Sequence, residues 1–409
     1  MQKVELMAPA GSWEALRAAI QNGADSVYFG IEQLNMRAKS ANNFTINDLE
    51  KISELCSKHN IKTYLTLNTI MYDHDLSVMR KIVDRVKETG ISAVIASDIA
   101  AINYAFTQKV PVHISTQVNI TNIESVRFFS PFAEVMVLSR ELSLRQVEQI
   151  CKAIEKEQIK GPNGELVRIE VFAHGALCVA VSGKCYMSLH THNASANRGA
   201  CIQNCRRKYT VIDEEGNELQ IDNEFIMSPK DLCTIDFLDK LIATGISVLK
   251  LEGRGRAPEY VATVTKCYRE AIDAVANGTY NQEKIQEWMK SLSTVYNRGF
   301  WGGYYLGKKL GEWSGTNGSK ATQKKVFVGK GQHYYKKIKV AQMQIDAGTL
   351  KQGDKILVIG PESGVYETQV SEIRVNNQPV TEARKGELVT FPIDRPVKPS
   401  DKVYKLVDA

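Results

Sequence analysis

Cysteine is where this chain concentrates its reactive side chains. Five of its eight cysteines fall between Cys178 and Cys233, and four of these, Cys178, Cys185, Cys201 and Cys205, lie within one 28-residue stretch. The other three, Cys56, Cys151 and Cys267, stand singly inside amphipathic helical patterns. A thiolate is a soft, anionic ligand, so thiols gathered in a chain of intracellular character point to a bound metal or an iron–sulfur cluster. The steps from Cys178 through Cys185 and Cys201 to Cys233 are 7, 16 and 32 residues, with Cys205 four residues beyond Cys201. No CxxC pair occurs, which disfavours a zinc ribbon. The competing reading is a set of buried structural thiols, since free cysteine is among the most buried residue types.

The elements that must position these thiols follow from the apolar pattern. Eight short runs alternate with amphipathic helical stretches: 4–9, 26–31, 62–68, 92–97, 112–117, 134–139, 169–175 and 247–253. Each is rich in β-branched or aromatic residues, as strands buried on both faces are. Eight strand–helix units predict a (β/α)8 TIM-type barrel over residues 1–280, and the absence of GxGxxG after the first run disfavours a dinucleotide-binding sheet. The seventh unit carries a Cys-rich insertion, about 176–233, which would leave the C-terminal rim where barrel enzymes build their sites. A helical, glycine- and aromatic-rich link (281–320) follows. From 321 to 409 short alternating runs separated by turn residues predict a small C-terminal β-barrel domain.

Barrel geometry makes the strand ends the candidate positions: Asn68, Asp98, Gln117, Arg140, Glu141, His174, Glu252 and Arg254. Glu252 and Arg254 are placed to orient a polar or dicarboxylate substrate, because a guanidinium fork matches a carboxylate; the plainer alternative is a rim salt bridge. His174 is a candidate acid–base group or a satisfied structural histidine. Asn35 and Arg37, after the second run, are candidates with Arg140 for holding an anionic cofactor or co-substrate.

Charge is distributed unevenly. Residues 319–409 hold 16 Lys/Arg against 10 Asp/Glu, whereas the rest of the chain holds 36 of each, so this segment carries the whole net charge of +6. Much of it sits in KATQKKVFVGKGQHYYKKIK (320–339), which points to a polyanion partner or to a solvated basic surface. Arg206, Arg207 and Lys208, with Tyr304, Tyr305, Phe327, Tyr334 and Tyr335, would supply phosphate contacts and base-stacking faces. The N-terminus has no basic region followed by an apolar one, and no run approaches about 18 apolar residues, so the expectation is a soluble, cytoplasmic protein without a membrane partner.

The string EVFAHGALCVAVSGKCYMSLHTHNASANRGACIQNCRRKY (170–209) resembles the hallmark of the U32 peptidase family. LMAPAGSWEALRAAIQNGADSVYFG at the start, NMRAKSANNFT (35–45), STQVNITN (115–122), LSRELSL (138–144) and KLEGRGR (250–256) extend the resemblance to about residue 310. Some members are described as collagenase-like proteases. Others bind an iron–sulfur cluster and take part in oxygen-independent, prephenate-linked hydroxylation of tRNA wobble uridine, a ribosomal RNA cytidine or a ubiquinone precursor. With its basic C-terminal segment, the chain is most similar to the tRNA 5-hydroxyuridine-forming group. The resemblance implies a [4Fe–4S] cluster on Cys178, Cys185, Cys201 and Cys233, with Cys205 an alternative member of the set. It also implies prephenate as co-substrate, tRNA as partner, and an electron donor or paralogous partner protein. The alternatives are a peptidase and a non-catalytic cluster-bearing subunit of a hydroxylase complex. A peptidase lacks its usual marks here: there is no HExxH and no GxSxG, and a Cys178–His174 dyad is explained as well by cluster ligation.

Overall fold

The computed structural model describes residues 3–39, 42–219, 225–307, 311–316 and 318–409. Eight strands form the framework: β1 (Glu5–Pro9), β2 (Ser26–Phe29), β3 (Lys62–Leu67), β4 (Ala93–Ala96), β5 (Val112–Ile114), β6 (Val135–Val137), β7 (Arg168–Ala176) and β8 (Val248–Leu251). They pair in parallel in chain order, and β8 pairs with both β7 and β1, so the sheet closes into the expected barrel. Closure leaves no sheet edge, and the helices between strands bury the outer face in one continuous core. The helix ends follow local chemistry: Ser12 and Asp98 cap Trp13–Gln21 and Ile99–Thr107, and Gly90 takes the left-handed conformation that ends Leu76–Thr89.

The barrel interior is partly charged. Glu5 on β1 accepts from Tyr64 on β3 at 2.7 Å and pairs with Arg168 on β7 at 3.0 Å. Neither strand is a neighbour of β1, so both contacts cross the interior. One layer higher, Lys250 pairs with Glu170 at 2.7 Å, both almost fully buried.

The chain departs from barrel regularity between β7 and β8, as the sequence predicts. This insertion carries a small hairpin (Val211–Ile212 with Glu218–Leu219), while 220–224 of the expected hairpin run lie outside the described residues. It returns through the strand Asp231–Cys233, antiparallel to the end of β7, with Cys233 opposite His174. Cys233 therefore ends a strand, and the next helix begins at Leu238. The link beyond the barrel contributes Phe300–Trp301, which pairs with Asp231–Leu232; its residues 308–310 and 317 lie outside the described residues.

The C-terminal region is an eight-stranded antiparallel sheet with its own core around Val328, Met343, Ile356 and Phe391. Its long strand Gln323–Tyr335 pairs with Val340–Ile345 and Lys402–Asp408. The pairings run from Gly364–Gln369 to Gln378–Val380. The sheet docks on the helices Trp13–Gln21 and Pro258–Ala276. Leu357, Ile359 and Val365 join the barrel's outer core, Gln21 donates to the Ser363 carbonyl at 2.9 Å, and Lys325 pairs with Glu259 at 2.7 Å.

Burial alone would raise the pKa of Glu5, but Tyr64, Lys62, Ser26 and Arg168 outweigh it and hold the carboxyl at about 2, against 4.5 ordinarily. A depressed native pKa gives stability that is complete above the unfolded value and lost as pH falls towards the native one. Glu5→Gln should therefore cost about 3 kcal/mol at neutral pH and flatten the acid dependence of unfolding between pH 4.5 and about 2, as read by denaturant titration across that range.

Candidate functional site

The C-terminal ends of the barrel strands and the Cys-rich insertion enclose a cavity of about 240 Å³. Its floor is the barrel mouth: Asn68 after β3, Gln117 after β5, Arg140 after β6, and Lys250, Glu252, Arg254 and Arg256 on and after β8. Cys178, Cys185, Cys201 and Cys205 line its other wall. The insertion is pinned down by polar contacts. Arg198 pairs with Asp75 at 2.7 Å, Asn119 donates to the Ser182 carbonyl at 3.2 Å, and Arg140 donates to Ser182 Oγ at 2.9 Å.

Seven cations line this cavity: Arg37, Arg140, Arg206, Lys250, Arg254, Arg256 and Arg298. Three ion pairs offset them: Arg37 with Glu252 at 2.8 Å, Lys250 with Glu170, and Arg298 with Asp231 at 3.4 Å. Burial would raise the pKa of Glu252, but Arg37 and Arg256 pull it below the ordinary value, so the carboxylate is ionised. Arg256 stacks 3.7 Å from the Tyr296 ring centroid and is held charged against burial by Asp231 and Glu252. Arg254 has neutral partners: Nη1 donates to Asn35 Oδ1 at 3.0 Å and to Thr66 Oγ1 at 2.9 Å. Burial pushes its guanidinium down to about 10. The backbone makes way for it, since a Cβ on Gly30 would stand 2.4 Å from Arg254 Nη1. Cations facing a cavity in excess of carboxylates, with Lys250, Arg254 and Arg298 buried and the others half-buried, suit an anionic ligand, whose charge would recover part of the cost of that burial. Two further buried polar atoms on the lining, Thr116 Oγ1 and Asn204 Oδ1, have no hydrogen-bond partner among the described residues.

Of the residues expected from sequence, Arg37, Arg140, Glu252 and Arg254 meet in this cavity with Asn68 and Gln117. Asn35 is fully buried and does not line it; its side chain accepts from Arg254 and from the Arg37 backbone, so it aligns the two arginines. Asp98 is a helix cap that also receives the Met71 amide, and Glu141 takes the Ser139 hydroxyl. His174 does not line the cavity. Burial lowers it to about 3, and the neutral ring packs against Tyr260, Tyr268 and Phe300, with Tyr268 Oη 3.4 Å from Nδ1. His174 thus packs as a satisfied structural histidine does, outside the cavity that Cys178 lines.

Cys205 joins Cys178, Cys185 and Cys201, and Cys233 does not. The Cys233 sulfur is buried 3.8 Å from Met289 Sδ and 3.8 Å from Tyr268 Oη, and burial pushes the thiol up to about 12. Burial raises the Cys205 thiol, and the neighbouring Cys178, Cys201 and Cys185 act in the same direction. Among the described residues no group of three His, Cys, Asp or Glu side chains is converged to hold a metal as it stands. Four soft donors on one wall, beside Arg206 and Arg37, nevertheless match in type and number what a four-thiolate cluster requires. Of the expected stacking aromatics, Tyr305 is buried with its hydroxyl on the Phe172 carbonyl, Tyr304 packs on Trp301, and Phe327 packs on Tyr404. Tyr335, at 40% exposure, stays on the surface.

Alkylation tests this partition of thiols. Iron-free native protein treated with iodoacetamide at mildly alkaline pH should label Cys178, Cys185, Cys201 and Cys205, and spare Cys56, Cys151, Cys233 and Cys267, whose thiols burial holds near 12. Labelling of Cys233 as fast as Cys201, read by peptide mass spectrometry, would put it in the cavity wall instead.

Comparison with known proteins agrees with this architecture. The model of peptidase family U32 matches residues 11–315. A "Collagenase" of Porphyromonas gingivalis is 56% identical over 98% of this chain and 97% of its own length. The "tRNA hydroxylation protein P1" of Bacillus subtilis is 30% identical over 99% of this chain and 95% of its own. The "23S rRNA 5-hydroxycytidine C2501 synthase" of Escherichia coli is 34% identical over 67% of this chain, which corresponds to 40% of that protein. The chain belongs to peptidase family U32.

Proposed function

We propose that this protein is an iron–sulfur-dependent RNA-modifying enzyme that hydroxylates a tRNA pyrimidine, the wobble uridine, to 5-hydroxyuridine. The observation that carries the proposal is the pairing of a four-thiol wall with an excess of cations over carboxylates in one barrel-mouth cavity. Relatives named for tRNA and ribosomal RNA hydroxylation support the substrate class. A cluster on Cys178, Cys185, Cys201 and Cys205 would supply one-electron chemistry. Arg254, fixed by Asn35 and Thr66, would bind a carboxylate of a small dicarboxylate co-substrate such as prephenate, with Arg256 and Arg298 near its other end. Glu252 keeps Arg37 oriented into the same space. The exposed hairpin tip with Tyr335, Lys336, Lys337 and Ile338 would meet the RNA backbone.

The peptidase reading is favoured by the name of the 56% identical relative. It requires a nucleophile and a base in contact, and the dyad open to it, Cys178 with His174, is not assembled. No helix among the described residues is long and apolar enough to cross a membrane.

Three outcomes follow. Mass spectrometry of tRNA nucleosides from a strain lacking the gene should show loss of 5-hydroxyuridine and its derivatives, restored by the wild-type gene; an unchanged profile together with gelatin cleavage by purified protein would favour the peptidase. Arg254→Gln should weaken binding of prephenate by roughly tenfold or more in calorimetry, since it removes a charge-assisted fork from a dry site. Charge reversal at Lys336 and Lys337 should weaken tRNA binding and lower the salt slope by about two, because each lost phosphate contact removes about one released counterion.

A further inference from the structure

We infer that Arg206 is the positioning residue of the thiol wall: it ties the first thiol of the stretch to the last and supplies the fixed positive charge beside them. The inference rests on the cluster reading above and goes beyond it by assigning a role to a residue that is not a ligand. Arg206 directly follows Cys205, at the end of the short 3-10 turn Asn204–Arg206. Its Nη2 donates to the carbonyl of Leu177, the residue before Cys178, at 2.6 Å. Its Nη1 donates to Ser228 Oγ at 3.0 Å and to the Pro229 carbonyl, on the segment leading into the strand Asp231–Cys233. One guanidinium fork therefore spans three separate pieces of the insertion, and the backbone on either side of it carries Cys178 and Cys205.

The partners in these bonds are all neutral oxygens, and Arg206 makes no ion pair among the described residues. Arg206 lines the same cavity as Cys178, Cys205 and Arg298. Asp231 is already paired with Arg298, so thiolates formed on ligation would be the anions left to balance Arg206. Ionising the four thiols for ligation would place their negative charge beside this cation. One-electron reduction of a cluster adds one more negative charge, which a fixed neighbouring cation stabilises, raising the reduction potential. Lysine cannot reproduce the arrangement, since a single ammonium lacks the planar fork that reaches Leu177 and Ser228 together.

The test uses anaerobically purified full-length protein with Arg206→Gln and Arg206→Lys, read by iron and sulfide content, iron release to a chelator, and an EPR-monitored redox titration. Arg206→Gln should shift the midpoint potential to more negative values and speed iron release by roughly tenfold or more, in the range seen when groups supporting metal ligands are removed. Arg206→Lys should keep the midpoint near that of wild type yet release iron faster, separating charge from tether. A folded Arg206→Gln protein with wild-type midpoint and wild-type iron retention would overturn the role. Should Arg206→Gln fail to fold, Arg206→Lys decides, and wild-type iron retention in that variant would overturn the tether. A wild-type protein that holds no iron overturns the cluster reading and this role with it, an outcome recognisable because the parent protein fails rather than the variant.

Discussion

Positive charge held where water cannot solvate it is the constraint around which this molecule is built. Arg254 sits at the barrel mouth with an amide oxygen and a hydroxyl as its side-chain hydrogen-bond partners among the described residues. Arg140 and Arg206, both half-buried, likewise bind neutral oxygens. Leaving such groups buried costs several kcal/mol each unless an anion answers them. The barrel makes the arrangement tolerable by fixing donors and acceptors on closed, parallel strands. Gly30 admits the Arg254 guanidinium, and Asn35 serves Arg254 and the Arg37 backbone at once. The same closure lets Glu5 be ionised inside the barrel, where cross-barrel partners replace water.

The insertion turns that charged mouth into an enclosed site. Its glycine at 199 lies so close to the loop after β2 that a Cβ there would come 2.3 Å from the Asn35 carbonyl. Arg198 reaches back to Asp75, and Ser182 receives Arg140. Each contact joins the thiol-bearing segment to a loop that also carries a cavity cation or polar group. Ligand binding on the barrel side and metal binding on the thiol side would therefore report to one another through shared residues, which is the arrangement a coupled redox reaction requires.

Much of the fold was legible in the sequence because burial on both faces leaves unbroken apolar runs. Eight of them at regular spacing left few topologies open. Cavity residues at the strand ends, Arg37, Arg140, Glu252 and Arg254, followed from barrel geometry. The errors have a common cause. Cys233 and His174 face each other across an antiparallel pairing that local pattern could not foretell, and that pairing turns both into the core behind the cavity. Arg298 reaches the site because Phe300–Trp301 adds to the same strand, a contact made far along the chain from the barrel motifs. Arg256 carried a readable signal, the second arginine of GRGR, which spacing after β8 places on the same rim as Arg254.

The central claim is that the cavity wall of Cys178, Cys185, Cys201 and Cys205 is the seat of a metal cluster facing a cationic substrate site. The most direct measurement is crystallography of the anaerobically purified protein with diffraction recorded at the iron absorption edge. The account predicts a single anomalous iron centre bounded by those four sulfurs, with Arg206 beside it and Cys233 unligated. Iron bound by Cys233 in place of Cys205, or no iron in fully folded protein, would contradict it.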